Sequence, residues 1–149
     1  MGLIINQQLD IPAKAIFDQL ELEYNDGCGN SLIFDGGPVQ RDRGFILHRT
    51  CDKQWESTVA IADDISLTAS KDILSDIAVD NGPADAMITL GYSSWESGQL
   101  EQELVQNSWL TIPADSAIIF HTDCAKRAGA AASSIGVNLE MLALDAGHA

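Results

Sequence analysis

The stretch Ser57-Thr58-Val59-Ala60-Ile61-Ala62-Asp63-Asp64-Ile65-Ser66-Leu67-Thr68-Ala69, followed at once by Ser70-Lys71-Asp72-Ile73-Leu74, decides the fold class. Two short runs of β-branched and apolar residues flank a pair of aspartates, which predicts a hairpin turning at Asp63-Asp64. The pattern then changes period. Ser70 caps a helix over 71–79, with Asp72 in the first turn and Ile73, Leu74 and Ile77 facing inward, and Asn81-Gly82-Pro83 stops it.

Working outward toward the start, 44–48 and 31–34 read as strands, the latter broken by Gly36-Gly37-Pro38. The polar, glycine-bearing segment 21–31 is a loop and the place where mobility is expected. A helix over 12–20 is capped by Asp10 and buries Ile16, Phe17 and Leu20, and residues 2–6 read as a buried strand. Toward the end, 87–90 is a strand, and Gly91 to Trp95 lead into a helix over 98–106 anchored by Leu100 and Leu104. Residues 109–112 and 117–120 read as short strands. An Ala-rich helix over 125–135 ends at Gly136, and a short helical turn and a loose tail over 145–149 close the chain. Strands and helices mix without βαβ alternation, so the expected class is α+β.

A chain of 149 residues has the length of one domain with one core. Eight Lys+Arg against 22 Asp+Glu give a formal net charge of −14 at pH 7, which repels nucleic acid and anionic membranes alike. Cys28, Cys51 and Cys124 are sparse, odd in number and without a C-x-x-C pair, as expected of reduced thiols in a cytoplasmic protein. No run approaches the roughly 18–20 apolar residues of a membrane span.

The motifs that carry chemistry are few. His48 and Cys51 form an H-x-x-C pair with no second pair to complete a zinc site, so no metal and no cofactor are expected. Gly36-Gly37-Pro38 matches no phosphate loop and predicts a tight turn. Arg41, Arg43, Arg49 and Lys53 place four of the eight bases within thirteen residues. This basic island either holds a carboxylate or phosphate or is consumed by internal partners such as Asp42 and Asp52, the second being the reading preferred. Ser70 at a helix start reads as a cap before it reads as a nucleophile, and Trp95 as a core anchor before a pocket lip.

Gly36-Gly37-Pro38-Val39 followed by Asp42-Arg43-Gly44-Phe45-Ile46-Leu47-His48 resembles the signature of the AlgH/YqgE family of bacterial proteins. Thr68-Ala69-Ser70-Lys71-Asp72-Ile73-Leu74, the segment Leu90-Gly91-Tyr92-Ser93-Ser94-Trp95-Glu96-Ser97-Gly98-Gln99-Leu100-Glu101, Asn107-Ser108-Trp109-Leu110, Pro113-Ala114-Asp115 and Gly147-His148-Ala149 resemble it in the same order. The resemblance implies an α+β domain whose bent, split, mixed sheet folds toward a pseudo-barrel with helices packed against it. It implies no assigned reaction, although some members carry a transcriptional-regulator label. Family members usually begin earlier, with a segment containing Cys-Glu-His-Asn. Met1 matches an internal Met of that segment, so residues 1–149 are expected to form a single domain lacking it, without the family's candidate for thiol chemistry.

The expected function is a cytoplasmic regulatory or binding module that acts indirectly, without touching DNA. The alternative is an enzyme or sensor acting on a small anionic ligand near Gly36, Gly37, Arg43, Ser70, Lys71, Trp95 and Gln99. No recognisable catalytic motif supports the enzyme. Another protein or a small anionic ligand is the expected partner, and the chain is expected to be a monomer or a weak homodimer, paired through an exposed sheet edge at its start.

Overall fold

The computed structural model describes residues 1–145. The chain divides into two compact units, Met1–Ser94 and Trp95–Ala149, and the α+β class is as expected. All six strands belong to the first: β1 (Gln8–Pro12), β2 (Leu32–Asp35), β3 (Val39–Arg49), β4 (Thr58–Ala62), β5 (Ile65–Thr68) and β6 (Ala86–Tyr92). They form one mixed sheet in the order β1-β2-β6-β3-β5-β4, in which only the β2–β6 pair is parallel. The sheet is open, with β1 and β4 as its edges, so the expected barrel-like closure is not made.

Two helices complete this unit, α1 (Ala13–Gln19) and α2 (Asp72–Ala78). Ile46 of β3 lies opposite Ile88 of β6. With Ile33 of β2 they form the sheet side of a core whose other side is Ala13 and Phe17 of α1, Ile73, Leu74 and Ala78 of α2, and Trp55. Burial of this cluster supplies the main drive for folding, at about 25 cal/mol per Å² of apolar surface.

The hairpin forms as expected, β4 and β5 pairing antiparallel. Residues 2–6 do not form the expected strand. They are tied at separate points instead: Gly2 and Ser93 exchange two backbone hydrogen bonds of 2.8 Å, and the Ile4 amide donates to the Gly36 carbonyl. The first ladder strand is β1, and α1 follows with Pro12 at its start and no bond from Asp10 to its amides. Proline's fixed φ suits a helix start without a side-chain cap.

The second unit carries α3 (Gln99–Val105), α4 (Ser116–His121), a 3₁₀ turn (Cys124–Lys126), α5 (Arg127–Ser134) and α6 (Leu139–Asp145). Residues 117–120, expected as a strand, are helical because the Asp115 carboxylate accepts from the Ala117 and Ile118 amides at 2.8 and 3.2 Å, satisfying donors a helix start leaves free. Residues 109–112 form no strand. In α3 no residue is buried, so Leu100 and Leu104 are not deep anchors. Of the loose tail expected over 145–149, Asp145 ends α6 and residues 146–149 lie outside the described residues. No helix among the described residues is long and apolar enough to cross a membrane.

Candidate functional site

Strand β3 pairs with β6 in two stretches separated by an irregularity. Val39 opposes Tyr92 and Gly44 opposes Leu90, so five residue steps on β3 face two on β6. The surplus arches out as a bulge containing Gln40, Arg41, Asp42 and Arg43, a device that re-aims side chains beside binding sites. Gln40 takes φ 46, a left-handed conformation uncommon outside glycine.

Glycine fixes the foot of this bulge. A Cβ on Gly36 would stand 2.3 Å from the Gly91 carbonyl oxygen, and Gly91, at φ +74, would place its own Cβ 2.4 Å from the Gly37 carbonyl oxygen. Only residues without a side chain allow the two backbones to come this close. The Gly36 amide donates to the Leu90 carbonyl at 2.8 Å and the Gly37 amide to Asp35 Oδ1 at 3.2 Å. Both amides are therefore committed to the scaffold. Asp35 also receives Arg41 Nη2 at 2.6 Å, pinning one side of the arch.

Arg43 projects from the other side, where a cleft of about 780 Å³ opens in the first unit. Its apolar wall is Ile46, Leu74, Ile88 and Leu90, with Ile16 and Leu20 of α1 and its neighbouring turn; its polar lining is Gln19, Gln40, Asp42, Arg43, Ser70 and Lys71. Arg43 is not locked to Asp42 or Asp72. Its guanidinium lies 5.3 Å from the Phe45 ring centroid, with Nη1 3.5 Å from Gln40 Oε1. Arg43 and Lys71 make no ion pair among the described residues.

Ser70 serves as a fastener. Its hydroxyl accepts from the Ser57 amide at 3.2 Å and donates to Asp72 Oδ1 at 2.5 Å. It makes no bond to the free amides of α2, which begins after Lys71. Burial raises the Asp72 carboxyl pKa, but the bonds from Ser70 and the Glu56 and Ile73 amides outweigh it and hold the group below its ordinary value.

The rest of the basic island is neutralised. Arg49 Nη1 meets Asp64 Oδ2 at 2.6 Å and its Nε meets Asp85 Oδ2 at 3.3 Å, while Lys53 Nζ meets Asp76 Oδ2 at 2.6 Å. Internal pairing was the reading preferred for the island; the partners are Asp35, Asp64, Asp85 and Asp76, not Asp42 or Asp52. Asp76 also accepts from the Trp55 indole at 2.7 Å. Burial opposes ionisation of this carboxyl, but the two bonds and the Lys53 charge keep its pKa low.

His48, read from sequence as an isolated strand-end residue, is buried beside this pair, edge-on to Trp55. Its Nδ1 lies 2.9 Å from the Arg49 carbonyl, which can only accept, so Nδ1 carries the proton. Nε2 then accepts from Thr68 Oγ1, whose oxygen accepts from Thr58 Oγ1, which in turn accepts from the Trp55 amide. Burial lowers the His48 pKa against a smaller opposing effect of the Arg49 carbonyl. This chain is saturated and holds the sheet to the Trp55 segment.

Trp95 and Gln99 lie in the second unit and surround a carboxylate. The indoles of Trp95 and Trp109 both donate to Glu103 Oε2, at 3.2 and 2.7 Å, and Gln99 Nε2 donates to Oε1 at 3.0 Å. Trp95 is half-buried and stacks edge-to-face with Trp109. Bonds from Trp109 and Gln99 hold the Glu103 pKa low. Of the seven candidate residues, Arg43, Ser70 and Lys71 share the cleft, Gly36 and Gly37 build the backbone at the foot of the bulge, and Trp95 and Gln99 each donate to Glu103 instead. Sequence reasoning missed Gln40 and the apolar wall. Their only signal was Leu74 and Ile46 standing close in sequence to Lys71 and Arg43. No group of three His, Cys, Asp or Glu residues suited to a metal ion occurs among the described residues.

Comparison with known proteins follows the same lines. A family model described as AlgH-like matches residues 1–140. A UPF0301 protein of Saccharophagus degradans is 46% identical over 149 residues, covering 100% of this chain and 73% of the relative. One from Azoarcus sp. is 47% identical over 150 residues, covering 100% and 79%. The solution structure of the AlgH protein from Pseudomonas aeruginosa is similar at 41% identity with a TM-score of 0.77, covering 100% of this chain and 79% of that one. A crystal structure of a Corynebacterium diphtheriae protein, 14% identical with a TM-score of 0.62 over 85% of this chain and 68% of that one, shares the fold alone. The motifs, the matching model and the relatives that align with the whole of this chain agree, and the chain belongs to the AlgH-like family.

Proposed function

We propose that this protein is a cytoplasmic binding module that takes a small anionic ligand in the cleft between Arg43 and Lys71, and that it regulates indirectly through occupancy of that site. The observation that supports this reading is selective pairing. In a chain with 22 acidic residues, Arg41, Arg49 and Lys53 have found carboxylates, while Arg43 and Lys71 line one cleft with Asp42 and ion-pair with no carboxylate among the described residues. At physiological salt the screening length is about 8 Å, so the distant negative charges weigh little against two cations at the site. The same net charge argues against DNA as the partner.

Catalysis is disfavoured by the state of Ser70. Its proton is given to Asp72, and a carboxylate held at low pKa is a poor general base at neutral pH. The test is thermal unfolding with acetate or inorganic phosphate against sodium chloride at matched ionic strength. A ligand at ten times its Kd stabilises by about 1.4 kcal/mol. The wild type should rise in Tm, and the Arg43→Gln/Lys71→Gln variant should not; no rise in the wild type, or an equal rise in the variant, overturns the reading.

A further inference from the structure

The cleft is charged at its rim and apolar within. Ile16, Leu20 and Leu90, only partly buried, give it an apolar wall over a floor of buried Ile46, Leu74 and Ile88, beside the rim where Arg43 and Lys71 stand with Asp42. A small hydrated ion would leave that wall unused. It would also give up water for two cations that remain solvent-exposed. A ligand carrying its own apolar body gains from the wall what the ion cannot. Two positive groups and one negative leave a formal rim charge of +1, matched by a monoanion. A dianion would add repulsion from Asp42.

Resting on the anion site proposed above, we infer that the ligand is an amphipathic monoanion: an organic carboxylate with an acyl or aryl body, its carboxylate between Arg43 and Lys71 and its body on the Ile16, Leu20 and Leu90 wall. The volume of about 780 Å³ lies within the roughly 300–1,000 Å³ usual for small-molecule sites. The bulge and the start of α2 set the charge, and α1 with β6 sets the apolar contact, so the two halves of recognition come from separate elements.

Titration calorimetry with acetate, butyrate, hexanoate and octanoate, at fixed ionic strength and below micelle formation, tests the class. Affinity should tighten by about fourfold per added methylene until the wall is covered. The Arg43→Gln/Lys71→Gln variant, whose changes are at exposed positions, should weaken every member by one common factor and leave the ratio between successive members intact. Octanol, with the body and no charge, should bind more weakly than octanoate, and so should inorganic phosphate. Octanol binding as tightly as octanoate, or phosphate binding more tightly, overturns the inference. Carboxylates that bind equally at every length overturn it too while leaving the anion site standing. Failure of every anion, phosphate included, removes the site itself and the inference with it.

Discussion

Arg49 and Arg43 stand six residues apart on one strand and end in opposite surroundings. Arg49 reaches two carboxylates, and beyond it Lys53, Asp76, Trp55, His48, Thr68 and Thr58 satisfy one another. Arg43, lifted by the bulge, rests against the Phe45 ring and faces a cleft. Exposed ion pairs contribute only about 0–1 kcal/mol each, so pairing at the Arg49 end reflects ready neutralisation by abundant acids more than any need for stability. Where acids are in such surplus, a cation beside a cleft that ion-pairs with none among the described residues is the feature on which the proposed anion site rests.

The sharpest way to break the comparison is to damage the saturated end alone. Trp55→Ala empties a buried site in the core and should cost about 3–5 kcal/mol in urea unfolding; a cost near zero would contradict the packing described. Asp76→Ala takes the acceptor from the Trp55 indole and from Lys53 and should cost about 1–3 kcal/mol, measured the same way.

Acid offers a smaller perturbation of the same end. The folded-state pKa of His48 lies below its ordinary 6.5, so the unfolded chain takes up the proton first. The stability His48 contributes is complete above pH 6.5 and is lost as pH falls through the folded value, a slope that should disappear in His48→Gln. Asp72 and Asp76, also depressed from 3.8, add losses only as pH falls below that value. Least of all in stability, Arg43→Gln should change unfolding by no more than about 0.5 kcal/mol, since the guanidinium bonds no carboxylate among the described residues. A cost above about 1 kcal/mol, more than an exposed ion pair supplies, would show that Arg43 carries a structural load and is not held in reserve beside the cleft.

Much of this contrast was legible in the sequence, and the limits have physical causes. The hairpin at Asp63-Asp64 and the helix after Lys71 follow from local period and turn chemistry. Strand β3 was read from Gly44 because Gln40 to Arg43 look like a polar loop, and a bulge is such a loop held inside a ladder. The apolar run 117–120 suits strand or helix equally, and Asp115 decides it by bonding two amides. The basic island was visible as a cluster, but its partners were not. Asp64, Asp85 and Asp76 stand 15 to 36 residues from the cations they meet along the chain, and only the fold brings them together. Trp95 and Gln99 read as pocket residues for a different reason: Glu103 stands only eight and four residues away, and the sequence does not show that their side chains turn to it.

The most direct measurement is heteronuclear NMR of the full chain titrated with butyrate at constant ionic strength, following backbone amides and the Arg43 Nε–H. Saturable shifts confined to residues 16–20, 40–46, 69–74 and 88–90, abolished in the Arg43→Gln/Lys71→Gln variant while Arg49 is unmoved, are the predicted result. Shifts that do not saturate, that centre on Arg49 and Lys53, or that persist in the variant would contradict the account.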